Sequence, residues 1–103
     1  MAKEYTLRFL PIFEEDLSDI VDYMVNVLHN EIAASDFVDA VEKAIQQRRP
    51  FAESYEKYRS SRQREYPYYQ ISVGNYTIFY VVIGNTMEVR RILYGRSNWK
   101  EYI

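Results

Sequence analysis

The sequence predicts an α+β fold in which an N-terminal strand and a two-helix hairpin pack on a mainly antiparallel sheet, in the order β-α-α-β-β-β. Three observations support this prediction. Apolar residues recur at helical spacing in the first half of the chain, three apolar runs of strand length fill the second half, and Gly-Asn pairs separate those runs. With 103 residues, the chain fits one domain, residues 1–103, with a single core.

The first strand is predicted from Tyr5 to Leu10, immediately before Pro11. Proline cannot donate a hydrogen bond to a sheet, but it suits the first turn of a helix, so we expect a helix to begin there. Apolar residues three and four positions apart continue from Phe13 to Leu28. Acidic residues crowd the first turns, where the helix dipole favours negative charge.

A second helix follows after a very short turn. Asn30 can end the first helix and cap the next, whose apolar spacing continues until Arg48 and Arg49 precede Pro50. The two helices should therefore form an antiparallel hairpin. Residues 51–66 lose the periodicity, and we interpret them as a long loop of the kind that often carries function.

Three strands are predicted at approximately Tyr68–Val73, Tyr76–Ile83 and Met87–Tyr94. The turns between them contain Gly74-Asn75 and Gly84-Asn85, which supply the positive φ angles of tight hairpins. With the helical hairpin on one face, the other face of the sheet should remain open for function.

Strict alternation divides the last strand into two sets, which are Val89, Arg91 and Leu93 on one side and Arg90, Ile92 and Tyr94 on the other. Alternation alone leaves open which side meets the helices. We favour the set with Arg90 and Tyr94 as the open side, because Val89 and Leu93 are the better core formers.

Charge is unevenly divided along the chain. The net charge is −2, but residues 1–42 carry a net of −8 and residues 43–103 a net of +6. The basic half is a candidate surface for nucleic acid phosphates or for an acidic partner segment. The alternative is an acidic helical hairpin that lies beside a basic sheet without a functional role.

Other features exclude whole classes of function. The chain has no cysteine and one histidine, His29, so we expect no metal and no cofactor. No stretch approaches the roughly 20 apolar residues of a membrane span, and the opening Met1-Ala-Lys-Glu lacks the apolar run of a signal peptide. We expect a cytoplasmic protein without a membrane partner.

Three segments resemble the RelE/ParE superfamily, the toxins of bacterial type II toxin–antitoxin modules. Leu10-Pro-Ile-Phe-Glu-Glu-Asp-Leu-Ser-Asp-Ile-Val-Asp-Tyr23 is similar to the family's opening strand and helix. Val73-Gly-Asn-Tyr-Thr-Ile-Phe-Tyr80 resembles its central strand, and Arg91-Ile-Leu-Tyr-Gly-Arg96 followed by Trp99 resembles its closing strand and tail. The three occur in the family's order and spacing.

The resemblance implies a RelE/ParE-like fold and a cognate antitoxin that forms a hetero-oligomer with this chain. It also implies growth inhibition, for which we favour ribosome-dependent mRNA cleavage, with the ribosome and mRNA as partners. One alternative is a ParE-like inhibitor of DNA gyrase without hydrolytic activity. The other is a degenerate homologue that binds antitoxin and is not toxic.

Metal-independent RNA cleavage needs a base, cations around the scissile phosphate and an acid for the leaving oxygen. The resemblance aligns family cation positions with Tyr69, Gln70 and Thr77, and a frequent histidine with Tyr94. Tyrosine can donate a proton or stack on a base, but it is a poor base because its reference pKa is about 10. The candidate catalytic residues are Arg91, Tyr94 and Arg96, and the candidate RNA- or partner-binding residues are Arg59, Arg62, Arg64, Tyr69 and Arg90.

Overall fold

The computed structural model describes residues 4–58, 66–95 and 103. Its elements are β1 (Thr6–Phe9), α1 (Pro11–Asn26), α2 (Glu31–Arg48), a 3-10 turn (Arg49–Phe51), β2 (Tyr69–Val73), β3 (Tyr76–Ile83) and β4 (Thr86–Tyr94). This order confirms the predicted β-α-α-β-β-β arrangement, and each strand boundary lies within one residue of the predicted one.

The four strands form one mixed sheet in the order β1-β4-β3-β2. β1 runs parallel to β4, with Thr6 opposite Thr86, while the β4–β3 and β3–β2 pairs are antiparallel. The chain leaves β1 at Pro11 and enters the helical hairpin, which packs on one face of the sheet.

Local sequence signals set the ends of the elements. Pro11 is the first residue of α1, as predicted. The Asn30 side chain caps α2 by accepting a hydrogen bond from the Ala33 amide at 3.0 Å, which confirms the predicted cap. Between the helices, His29 has a φ of 52°, and in the hairpin turns Gly74 and Gly84 have φ of 58° and 61°. Glycine at the first turn position accepts this left-handed geometry without strain.

The main core lies between the helical hairpin and the sheet. Phe13, Val41 and Ile45 of the helices pack against the sheet residues, which are Tyr69, Ile71, Ile78, Tyr80, Met87, Val89 and Ile92. The helices therefore fix the orientation of β4, the strand that carries three of the predicted site residues, Arg90, Arg91 and Tyr94.

A β-bulge in β4 makes one sequence prediction wrong. Tyr80 is opposite Val89 and Phe79 is opposite Arg91, so Arg90 is the extra residue. The bulge breaks strict alternation, since two residues of β4 now oppose one of β3. Ile92, predicted on the open side, is 1% exposed in the helix-facing core together with Val89, whereas Leu93 packs on the opposite face.

The face away from the helices is also less open than predicted. A second apolar cluster covers its centre, where Phe79 and Val81 are fully buried beneath Tyr68, Ile103 and the half-buried Tyr58. The accessible part of this face is thus confined to its ends. Within the ranges given above, none of the helices has the length and apolarity to span a membrane.

Candidate functional site

Arg91 is held by Asp16 at the edge of the sheet. Its Nε and Nη2 atoms donate to the two Asp16 carboxylate oxygens at 2.7 and 2.8 Å, and the Ile92 amide donates to Oδ2 at 3.2 Å. The Arg91 and Asp16 side chains are only 13% and 14% exposed. A bidentate pair of this kind fixes the guanidinium plane and fastens the first turns of α1 to the bulged strand.

Arg90 is engaged by a second carboxylate on the face away from the helices. Its Nη2 donates to Glu88 Oε2 at 3.2 Å, and Glu88 Oε1 also accepts from Arg8 Nε at 3.3 Å. The Arg90 guanidinium lies 5.9 Å from the ring centre of Tyr68. We refer to Arg8, Asp16, Glu88, Arg90 and Arg91 as the bulge network.

The environment of Arg90 favours its charged form. Burial acts to lower the pKa of Arg90, but hydrogen bonds with Tyr68 and Glu88 outweigh burial, and the pKa is raised. Glu88 is itself only 6% exposed, so Arg8 and Arg90 both balance the negative charge of a buried carboxylate. The predicted binding residue Arg90 therefore has a structural partner, although 29% of its side chain remains accessible.

Tyr94 is the most accessible of the predicted site residues in the described part of the chain, with 68% exposure. It lies at the end of β4, where its ring meets Tyr76 edge-on at 5.2 Å between centroids. Both tyrosines line a polar pocket of about 360 Å³ on the end of the sheet. The other residues that line it are Gln70, Ser72, Gly74, Asn75, Thr77 and Gly95.

Three positions that the family resemblance singles out lie together in the lining of the polar pocket. Gln70 and Thr77 stand where the resemblance expects cations, and Tyr94 stands where it expects a histidine. All described residues of the lining are uncharged. The pocket can donate and accept hydrogen bonds and offer aromatic surface, but these side chains provide no positive charge for a phosphate.

Tyr69 does not reach the polar pocket. Its side chain is 4% exposed and stacks on Tyr80 at 5.2 Å in the helix-facing core. Burial raises the pKa of Tyr69, and the charge of Glu53 adds to the effect. The structure thus places this predicted binding residue inside the protein, where its ring packs rather than faces a partner. Arg59, Arg62, Arg64 and Arg96 lie outside the described residues, and their predicted roles stay predictions.

Sequence reasoning missed the two carboxylates of the bulge network. From the sequence, Asp16 is only one of the acids that favour a helix start, and Glu88 is only one of the acids within the basic half. Adjacent Arg90 and Arg91 on a strand were a usable signal, because strict alternation would point them to opposite faces and each buried cation needs an acceptor.

Comparison with known proteins identifies the class. A family profile described as "ParE toxin of type II toxin-antitoxin system, parDE" matches residues 7–99. The fold and this match place the chain in the RelE/ParE superfamily. Within it, the chain belongs to the ParE toxin family.

A solved structure shows the same fold. The chain is similar to one from the chromosomal ParDE TA system from P. aeruginosa, with a TM-score of 0.72 and 17% identity over 89% of this chain and 97% of that chain. It also matches a chain of the RelB-RelE antitoxin-toxin complex from Methanococcus jannaschii, with a TM-score of 0.47 and 21% identity over 93% and 98% of the two chains. A comparison with curated proteins gave no match.

Proposed function

We propose that this chain is a toxin that arrests growth by binding DNA gyrase without hydrolytic chemistry, and that a cognate antitoxin neutralises it. Gyrase as the target is what the family resemblance implies for the ParE branch. The family profile over residues 7–99 supports this branch.

One observation carries the choice of mechanism. The described side chains that line the polar pocket with Tyr94 are neutral, while Arg91, the predicted catalytic cation in β4, donates two side-chain hydrogen bonds to Asp16. Cleavage of RNA requires cations that stabilise extra charge on the phosphate. A protein that only binds its target has no such requirement, so the arrangement fits inhibition by binding.

Ribosome-dependent mRNA cleavage is the second candidate function. The exposed Tyr94 hydroxyl favours it, since this group could donate a proton to a leaving oxygen from the rim of the pocket. Arg96 and the arginines of residues 59–64 would then have to supply the positive charge. Both candidates act in the cytoplasm, where we expect the protein and its antitoxin to form a hetero-oligomer.

The experiment that separates them uses purified full-length chain in two assays. One assay measures supercoiling by DNA gyrase, and the other follows a messenger RNA during translation on ribosomes. We expect the chain to block supercoiling and to leave the transcript intact. Cleaved transcript with normal supercoiling would establish the nuclease instead, and inactivity in both assays would indicate a degenerate homologue.

A matched pair of substitutions sharpens the result. Tyr94→Phe removes the hydroxyl and keeps the ring, whereas Tyr94→Ala removes both, and neither should affect folding because the side chain is exposed. If Tyr94 contributes a contact surface, the Phe variant retains inhibition and the Ala variant loses most of it. If the hydroxyl instead donates a proton in RNA cleavage, cleavage of the transcript should be lost in both variants to the same extent.

A further inference from the structure

Tyr76 lies directly beside Tyr94 on the neighbouring strand. The two residues are opposite each other in the register of β3 and β4. One position beyond this pair, the Gly95 amide donates a hydrogen bond to the Asn75 carbonyl at 2.8 Å. Hydrogen-bonded and non-hydrogen-bonded pairs alternate in an antiparallel sheet. Tyr76 and Tyr94 therefore form a non-hydrogen-bonded pair, the kind in which side chains approach each other more closely.

The rings of this pair are in contact. They meet edge-on, with 5.2 Å between the centroids and 66° between the planes. Aromatic rings favour this arrangement, because the positive edge of one ring faces the negative face of the other. Tyr94 is 68% exposed, and an exposed side chain changes rotamer freely unless a neighbour restrains it. The Tyr76 ring supplies such a restraint.

Tyr76 is itself held by the helical hairpin. The centroid of the Phe37 ring in α2 lies 4.8 Å from that of Tyr76. Both residues are half-buried against the core between the helices and the sheet. Burial raises the pKa of Tyr76, and the neighbouring Tyr94 and Tyr23 add to this effect, so the Tyr76 hydroxyl is neutral near pH 7. A half-buried, uncharged ring thus lies between the core and the exposed Tyr94.

The two tyrosines also separate two cavities. Both line the polar pocket, and both line a groove of about 560 Å³ between α1 and the sheet. A movement of the Tyr94 ring therefore changes the shape of both cavities at once. The orientation of Tyr94, in addition to its exposure, determines the surface that a target meets at this end of the sheet.

We propose that Tyr76 is a positioning residue for Tyr94, and that its ring, supported by Phe37, holds the Tyr94 ring in the orientation that contacts the target. This inference rests on the proposed function, in which Tyr94 contributes a contact surface. A side chain that is already ordered loses less conformational entropy when the target binds. Tyr76 therefore strengthens inhibition through Tyr94. The ring is the part that acts, so Tyr76→Phe should retain the effect and Tyr76→Leu should lose it.

The first measurement observes the Tyr94 ring in full-length chain that carries a ring-fluorinated tyrosine at position 94. We expect its fluorine NMR signal to be displaced from the position that it has in the urea-unfolded chain. Tyr76→Phe should keep this displacement, and Tyr76→Leu should remove most of it. Phe9→Leu is the matched control and should leave the signal unchanged, because Phe9 is also a partly exposed ring that stacks on an aromatic neighbour, Phe13.

The second measurement is a double-mutant cycle on the concentration of chain that half-inhibits supercoiling by DNA gyrase. Tyr76→Leu should raise this concentration about fivefold, the loss expected for one aromatic pair. In the Tyr94→Ala background, Tyr76→Leu should have no further effect. Tyr76→Phe, which keeps the ring, should inhibit as the unsubstituted chain does. A purely structural role of Tyr76 would instead weaken inhibition by the same factor in both backgrounds.

Two results would overturn the proposal. One is a fluorine signal that Tyr76→Leu shifts no more than Phe9→Leu does. The other is an equal loss of inhibition from Tyr76→Leu with and without the Tyr94 ring. Circular dichroism melting checks that each variant is folded at the assay temperature. If the unsubstituted chain does not inhibit gyrase, the proposed function fails, whereas the NMR comparison still decides whether Tyr76 positions Tyr94.

Discussion

Two regions of the molecule differ in whether their side chains have partners within the chain. One is the bulge network, and the other is the groove between α1 and the sheet, which we call the helix-turn groove together with the exposed Val27 and Ile32 beside it. The groove is lined by Asp19, Ile20, Tyr23, Leu28, Tyr76 and Tyr94. In the bulge network, two arginines of β4 and Arg8 are engaged by Asp16 and Glu88, and most of these atoms are shielded from water. In the helix-turn groove, apolar side chains and acids remain exposed among the described residues. The first region stabilises the fold, and the second is available to another molecule.

This difference shows why charge in a sequence is an ambiguous sign of function. A pair of arginines on a strand suggests a phosphate site, but a nearby carboxylate of the same chain can occupy the same hydrogen-bond donors. Exposed apolar residues at a helix turn attract less notice in a sequence. Their accessibility is what a binding surface needs.

The largest expected effect comes from breaking the bulge network at Asp16. Asp16→Ala leaves Arg91 with its principal charge partner gone and the Ile92 amide without its acceptor, so we expect a loss of about 3 kcal/mol in the free energy of unfolding. Urea titration followed by circular dichroism measures it. Asp19→Ala, one turn away and exposed, is the control and should change stability by under about 0.5 kcal/mol. Equal effects would remove the distinction between the regions.

A second effect separates the two arginines that share Glu88. Glu88→Gln removes the charge that holds Arg8 and the partly buried Arg90, and we expect a loss of about 2 kcal/mol. Arg8→Gln breaks only the bond of a side chain that is 53% exposed, and should cost about 0.5 kcal/mol. The same urea titrations test both. A larger loss for Arg8→Gln than for Glu88→Gln would contradict the buried position of Glu88.

Tyr5 lies outside both regions, and its ionisation at alkaline pH provides a reference for the stability measurements. The Tyr5 hydroxyl donates to Glu53 at 2.8 Å, and burial, together with this bond and the charge of Glu53, raises the pKa of Tyr5 to about 12. The pKa of Tyr5 in the folded chain exceeds the ordinary value of 10.0. The protonated Tyr5 hydroxyl therefore contributes fully to the free energy of unfolding below pH 10, and this contribution is lost as the pH rises towards 12.

The measurement is the free energy of unfolding as a function of pH for Tyr5→Phe and for Tyr23→Phe. Tyr5→Phe should lose about 1 kcal/mol near neutral pH and show a shallower decline above pH 10. Tyr23→Phe changes an exposed residue of the helix-turn groove and should follow the unsubstituted chain. If the free energy of unfolding of Tyr5→Phe declined above pH 10 with the same slope as that of the unsubstituted chain, the raised pKa of Tyr5 would be refuted.

The smallest effect is expected in the helix-turn groove itself. Ile32→Ser alters a side chain that is 77% exposed, so the free energy of unfolding should change by under about 0.5 kcal/mol. Ile45→Ser, a buried α2 residue at 2% exposure, is the contrast and should lose several-fold more. Thermal melting of the two variants checks this. A large loss for Ile32→Ser would mean that the surface supports the fold.

Local signals explain how well the sequence predicted the fold. Pro11, the Asn30 cap and the two Gly-Asn turns each act over a few residues, and they placed the helices and strands correctly. The bulge at Arg90 depends on how β4 fits between β3 and the helices, so period-two alternation could not reveal it.

The sequence predicted the site less well than the fold, because the contacts of the site residues depend on how distant parts of the chain pack together. The Arg91–Asp16 contact joins residues 75 positions apart, and Tyr69 is buried because it stacks on a neighbouring strand. Tyr94, which alternation predicts to be accessible, is 68% exposed at the end of its strand, where few elements can cover it. Exposure at an element's end is predictable, whereas pairing between distant residues is not.

The most direct test of the account is the growth inhibition caused by the double variant Asp16→Asn/Arg91→Gln. It removes both charges and retains groups that can hydrogen-bond between α1 and β4, including an acceptor for the Ile92 amide. If Arg91 serves the fold, the folded double variant should arrest growth as strongly as the unsubstituted chain when expressed to the same level. A folded but harmless double variant would show that the Arg91 charge acts in the inhibitory reaction, contrary to this account.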